Sequence, residues 1–137
     1  MADLTKVTTI ADNTREVIMA FQYQYVDAGN ESAVSKIDVS GLVANADGEA
    51  CTGIRIAECW WVISAMTVEI LAAADTNIIV MHLTEGQSGY QDFPKFGGLP
   101  PISSFGTNGT GDIKFTTTGA GATGDAYQII IRGIKQY

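Results

Sequence analysis

Across residues 15–26, apolar side chains recur at every second position. Val17, Met19, Phe21, Tyr23 and Tyr25 share one parity, and Ile18, Ala20, Gln22 and Gln24 the other. A strand has that period, whereas a helix would group positions three and four apart and mix Gln22 with Phe21 and Tyr25. Asp27-Ala28-Gly29-Asn30 is a turn cluster. Residues 32–40 predict a second strand, with a bulge where the parity slips between Val34 and Ile37. Asn45-Ala46-Asp47-Gly48 predicts a turn, and residues 51–63 an apolar strand with Ile54 and Ile56 facing away from Arg55. The adjacent Trp60 and Trp61 point to opposite faces of it, so one ring can fill the core while the other meets the second face or a partner. Residues 67–71 alternate about Glu69, and Ala72-Ala73-Ala74-Asp75-Thr76 reads as a corner. Residues 77–83 are almost wholly apolar and are expected to be buried on both faces.

Residues 84–108 hold all three prolines and predict a long irregular loop. Two strands, 111–117 and 125–135, close the chain, with Gly119-Ala120-Gly121-Ala122 as a hairpin loop between them. Thr110-Gly111-Asp112 and Thr123-Gly124-Asp125 each stand just before one of these strands. Seven or eight short strands with no strand–helix alternation predict an all-β fold, a single jelly-roll-like β-sandwich. Residues 1–13 would lead into it as an arm or strand, and residues 14–137 would form the sandwich.

Composition narrows what such a sandwich can do. A length of 137 residues suits one domain. Charged residues make up 17% and the net charge is −7, so Lys and Arg are too few to grip phosphates and nucleic acid is not an expected partner. Along one strand, Cys51 and Cys59 would lie about 26 Å apart, beyond disulfide reach. Two buried free thiols in a reducing compartment are expected. The opening residues lack a signal-peptide pattern, and no apolar run reaches about 18 residues, so synthesis in a cytoplasm without a membrane span is expected.

Reactive constellations are scarce. His82 is the sole histidine, sits between Met81 and Leu83, and has no nucleophile-elbow spacing to serve. One histidine and two cysteines fall short of a zinc site. Asp112 and Asp125 follow glycines at strand entries, where turn geometry wants Asp rather than a catalytic acid pair. Asn45, Asp47 and Glu49 imitate the start of a calcium loop, but the glycine comes early and the closing Glu is missing. The glycine-rich stretches lack a phosphate cradle's Lys-Ser or Lys-Thr. A non-enzyme with no catalytic residue, metal or cofactor is expected.

One ordered set of motifs goes further. It runs Trp60, Asp75-Thr76, Gly89-Tyr90-Gln91-Asp92, Gly97-Gly98-Leu99, Gly111-Asp112-Ile113, Thr116-Thr117-Thr118-Gly119, Gly124-Asp125-Ala126-Tyr127 and Lys135. Over residues 35–135 the chain resembles a family of small virion structural proteins of tailed bacteriophages, common among marine phages. It departs at Ala72 to Ala74, where the family pattern has an aromatic before the corner. The resemblance implies a sandwich-type capsid decoration (cement) protein, bridging major capsid subunits and located in the virion after synthesis in the host. Its partner would be the major capsid protein or another virion protein. A homo-oligomer is implied, with a trimer the form that three-fold lattice positions favour. The alternatives are a neck, tail or fibre-associated virion protein, or a carbohydrate-binding module using loop aromatics. The candidate interface residues are Leu4, Val7 and Ile10 in the N-terminal segment and Tyr90, Phe93, Phe96 and Phe105 in the long loop.

Overall fold

The computed structural model describes residues 4–25, 31–83, 88–93, 99–119 and 125–137. These form β1 (Leu4–Asp12), β2 (Glu16–Gln24), β3 (Val34–Ile37), β4 (Gly53–Ser64), β5 (Thr67–Ala72), β6 (Ile78–Leu83), β7 (Ser88–Asp92), β8 (Ile113–Thr118) and β9 (Ala126–Gln136). One sheet has the order β1-β2-β9-β4-β7 and the other β3-β8-β5-β6. The antiparallel pairs β2·β9, β3·β8, β4·β7 and β5·β6 are nested, like a long hairpin doubled over on itself. Further ladders, β4·β9 and β5·β8, close each sheet. This is the eight-stranded jelly roll, with β1 added as a ninth strand at one edge.

The core lies between the sheets. Val17, Met19, Phe21 and Tyr23 of β2 point into it, as their parity requires, and meet Ile129 and Ile131 of β9 and Phe115 of β8. The Phe21 and Phe115 rings meet edge to face at 5.2 Å, which contributes about 0.5–1.5 kcal/mol beyond area burial. In β4 a bulge at Ala57 flips the parity: Ile54 and Ile56 face inward before it, and Cys59 and Ile63 after it. The bulge expected between Val34 and Ile37 falls between Ser35 and Ile37. Cys51 and Cys59 are both buried and free.

Turn chemistry is local and visible. Asn45 Oδ1 accepts from the backbone N–H groups of Asp47 and Glu49, at 3.0 and 2.9 Å. Asp112 Oδ1 accepts from the Val39 N–H at 2.9 Å. Gly111 has φ +86°, and a Cβ there would stand 2.7 Å from the Thr52 carbonyl oxygen, so only glycine suits that strand entry. The alanine corner also has a steric cause. A Cβ on Gly106 would come within 2.8 Å of Ala74 Cβ, so the segment strapped over the corner leaves no room there for a larger side chain. The strap is held by Asp75 N–H to Thr107 O and by Thr110 N–H to Ala73 O, each at 3.0 Å.

Three expectations are corrected. Residues 84–108 are not one irregular loop: β7 pairs with β4, and Ile102, in a short 3-10 turn, is fully buried. That raises the strand count among the described residues to nine. Residues 77–83 are not buried on both faces, because among the described residues β6 is an edge strand with β5 as its only strand neighbour, leaving Ile79 and His82 exposed. No hairpin joins β8 to β9, since they belong to different sheets; residues 120–124 between them lie outside the described residues. Of the two forms expected for the N-terminal segment, arm or lead-in strand, Leu4–Asp12 takes the strand, paired with β2.

Candidate functional site: the outer face of the five-stranded sheet

Register places the side chains of this face in rows that run across the strands. Ala20 pairs with Ile130, Ile130 with Trp60, and Trp60 with Tyr90, which gives an apolar and aromatic row over β2, β9, β4 and β7. On one side of it lies a more polar row of Lys6, Gln22, Gln128, Val62 and Ser88. On the other lies a charged row that includes Arg132, Glu58 and Asp92. Val62 is 59% exposed and Tyr90 46%. A solvated sheet face is ordinarily polar, so the Ile130–Trp60–Tyr90 row with Val62 beside it is the feature of this face that needs a reason.

The charged row braces the aromatics. Arg132 donates to Glu16 Oε2 at 2.9 Å and to Glu58 Oε1 at 3.0 Å. The Tyr90 hydroxyl donates to the other Glu58 oxygen at 2.9 Å. A hydrogen-bonded line therefore crosses four strands and fixes the Tyr90 ring, which stacks on Trp60 with centroids 5.1 Å apart. Desolvation, together with hydrogen bonds to Glu58 and Asp92 and their charges, pushes the Tyr90 phenol up to about 12, so it stays a donor. Two shallow hollows of about 490 and 450 Å³ adjoin Val62. The first is lined by Leu4, Gln22, Gln24 and Ala126 among others, and the second by Trp60, Tyr90 and Ile130.

The structure separates the seven candidate interface residues. Tyr90 belongs to the row just described. Leu4, Val7 and Ile10 lie along β1, 54%, 47% and 54% exposed, at the edge of the same sheet. Phe93 and Phe105 are half-buried and pack against the core, so among the described loop aromatics Tyr90 alone is exposed. Phe96 lies outside the described residues. Sequence reasoning singled out Trp60-Trp61 but missed Val62, Ile130, Glu58 and Arg132. The Ala57 bulge hides the parity of the first and third, and Ile130 sits in an unbroken isoleucine run. Pairs such as Glu58 and Arg132 are 74 positions apart and leave no local signal.

Among the described residues, no three His, Cys, Asp or Glu side chains gather where they could hold a metal ion. His82 faces outward opposite Glu69 on the smaller sheet. Lys135, the basic residue of the motif set, is buried; it donates to Asp12 and, at 2.9 Å, to the Val43 carbonyl oxygen, tying β9 to the end of β1. Its role is structural. No protein-family model, curated protein or solved structure matches this chain.

Proposed function

We propose that this protein is a structural component of a tailed-phage particle, a capsid decoration protein that seats the outer face of its five-stranded sheet on neighbouring major capsid subunits. The observation that carries this is the Ile130–Trp60–Tyr90 row with exposed Val62 beside it. Tyr and Trp are the side chains that anchor protein interfaces, and here they are pre-positioned by the Glu16–Arg132–Glu58–Tyr90 line, which lowers the ordering cost of docking. Support also comes from the motif resemblance and from the jelly roll, a fold used by capsid proteins and also by lectins. The test mixes the protein with particles lacking it. Full occupancy at hundreds of copies per particle is expected, lost in Val62→Asp and reduced in Tyr90→Ala. A few to dozens of copies confined to a neck, tail or fibre would replace the decoration role with the rival virion position.

Glycan binding is the second reading, favoured by Gln22, Gln24 and Gln128 in the hollow next to Val62 and by Gln128 beside Trp60 and Tyr90. It is weaker because Trp60 and Tyr90 each spend one ring face on the other, and the Tyr90 hydroxyl is committed to Glu58. Calorimetric binding of soluble oligosaccharides, abolished in Tyr90→Ala, would favour it over the capsid.

A further inference from the structure

The sheet edge formed by β1 has a property that the face does not. The five-stranded sheet has one strand more than the sheet it packs on, and β1 is the strand left over. Val7 points to the core side, in register with the fully buried Phe21, yet remains half exposed. Among the described residues, β1 has a strand neighbour on one side only, and its nine residues make it the longest edge of the sandwich. The other edges are β7 with five residues, β3 with four and β6 with six. Short edge strands resist pairing with other chains, and long ones with exposed apolar side chains invite it.

The residues from Leu4 to Ile10 also read symmetrically about Val7: Leu, Thr, Lys, Val, Thr, Thr, Ile. Laid antiparallel on a second copy with Val7 at the centre, Val7 stands opposite Val7. Lys6 then faces Thr8, Thr5 faces Thr9, and Leu4 faces Ile10. Every exposed apolar residue of the strand gains an apolar partner, and the threonines at positions 5 and 9 pair. The one charge between Leu4 and Ala11 faces a neutral hydroxyl. Cross-strand pairs of these kinds stabilise antiparallel sheets, while directly opposed like charges do not. A two-fold contact requires this reciprocity, since residue i must meet j while j meets i. The β1·β2 register shift falls on Ile10, which has no partner on β2, so the irregularity touches only the terminal Leu4–Ile10 pair and leaves Thr5 to Thr9 regular.

We propose that β1 pairs antiparallel with β1 of a second copy about a two-fold axis at Val7, joining two five-stranded sheets into one of ten. The partner is this same chain, the product is a dimer and not the trimer expected from lattice symmetry, and the outer faces of both copies lie on one side of the joined sheet. The contact is independent of what that face binds.

Sedimentation of the full chain is expected to give twice the 14.5 kDa chain mass, with the dimer lost in Val7→Lys, which sets like charges directly opposite one another. Circular dichroism would check that this variant keeps its fold. Register is tested by cysteine. Val7→Cys should form an intermolecular disulfide under mild oxidation, because residue 7 meets its own copy, while Thr5→Cys should not, because it meets residue 9. Cys51 and Cys59 are buried and stay silent. A monomer or trimer in the unmodified protein, a folded Val7→Lys that remains dimeric, or cross-linking of Thr5→Cys as fast as Val7→Cys would each overturn the proposal.

Discussion

A carboxylate inside a sandwich must be answered by its neighbours, and Glu31 is. It accepts from Lys36 Nζ at 2.6 Å and from the Tyr127 hydroxyl at 2.7 Å, and both charged side chains are almost fully buried. Lys36 also lies over the Phe115 and Tyr127 rings, 5.8 and 5.9 Å from their centroids. Replacing Lys36 by Met would leave the Glu31 carboxylate buried without its cation. A loss of about 3–5 kcal/mol is expected, measured by urea unfolding, with partial recovery in Lys36→Met combined with Glu31→Gln. Burial also pushes the Cys59 thiol up from 9.0 to about 12, and burial followed by Glu31 raises the Tyr127 phenol. Folding thus favours the protonated thiol and phenol. Their contribution is complete below pH 9, the unfolded value of the thiol, and is lost as pH climbs toward 12. Unfolding curves should shift to lower denaturant across that window and stay flat from pH 7 to 9 if no other group intervenes. Cys59 should resist alkylation at pH 8 until the protein unfolds.

Elements with a clean alternation were the legible ones. β2 was readable because every odd position is apolar and the even ones turn polar at Gln22 and Gln24. β6 was not, because an apolar run looks the same whether it is central or at an edge; only the pairing partner decides. β7 was hidden because Ser88-Gly89-Tyr90-Gln91-Asp92 has little apolar content, and its place in the sheet comes from pairing with β4. Gly89 is needed there, since a Cβ would stand 2.6 Å from the Trp61 ring. The candidate face was half legible for the same reason: Trp60 and Tyr90 could be named, but not that they stack. β1 is an addition to a complete jelly roll, and its side chains from Leu4 to Ile10 are all exposed. Deleting residues 2–10 keeps Asp12, the partner of Lys135. The deletion should preserve the β-type circular dichroism spectrum and a cooperative thermal transition, whereas deleting through residue 12 should lower the melting temperature further, because it strands the buried Lys135 cation.

At the scale of the molecule, the topology is mostly non-local: apart from β1·β2 and β5·β6, every ladder joins strands that are not consecutive in the chain. The β2·β9 ladder runs from Glu16 opposite Ile134 to Gln24 opposite Ala126, so it closes a loop of most of the chain. Refolding from denaturant should be slow, in the range of milliseconds to seconds typical of all-β sandwiches, and stopped-flow fluorescence of Trp60 and Trp61 would measure it. Proline isomerisation would add a separate, slower phase. The position of β9 also bears on how the protein is made. β9 lies between β2 and β4, touching both, and it follows all the other described strands in the chain. At about 5–20 residues per second, β2 waits several seconds on the ribosome for the strand that completes its sheet. During that time the inward-facing Phe21 and Tyr23 have no finished core to enter, and a crowded polysome holds many such half-built sheets side by side. Slower translation or added chaperone is therefore expected to change the soluble yield of this protein, measured in a cell-free synthesis.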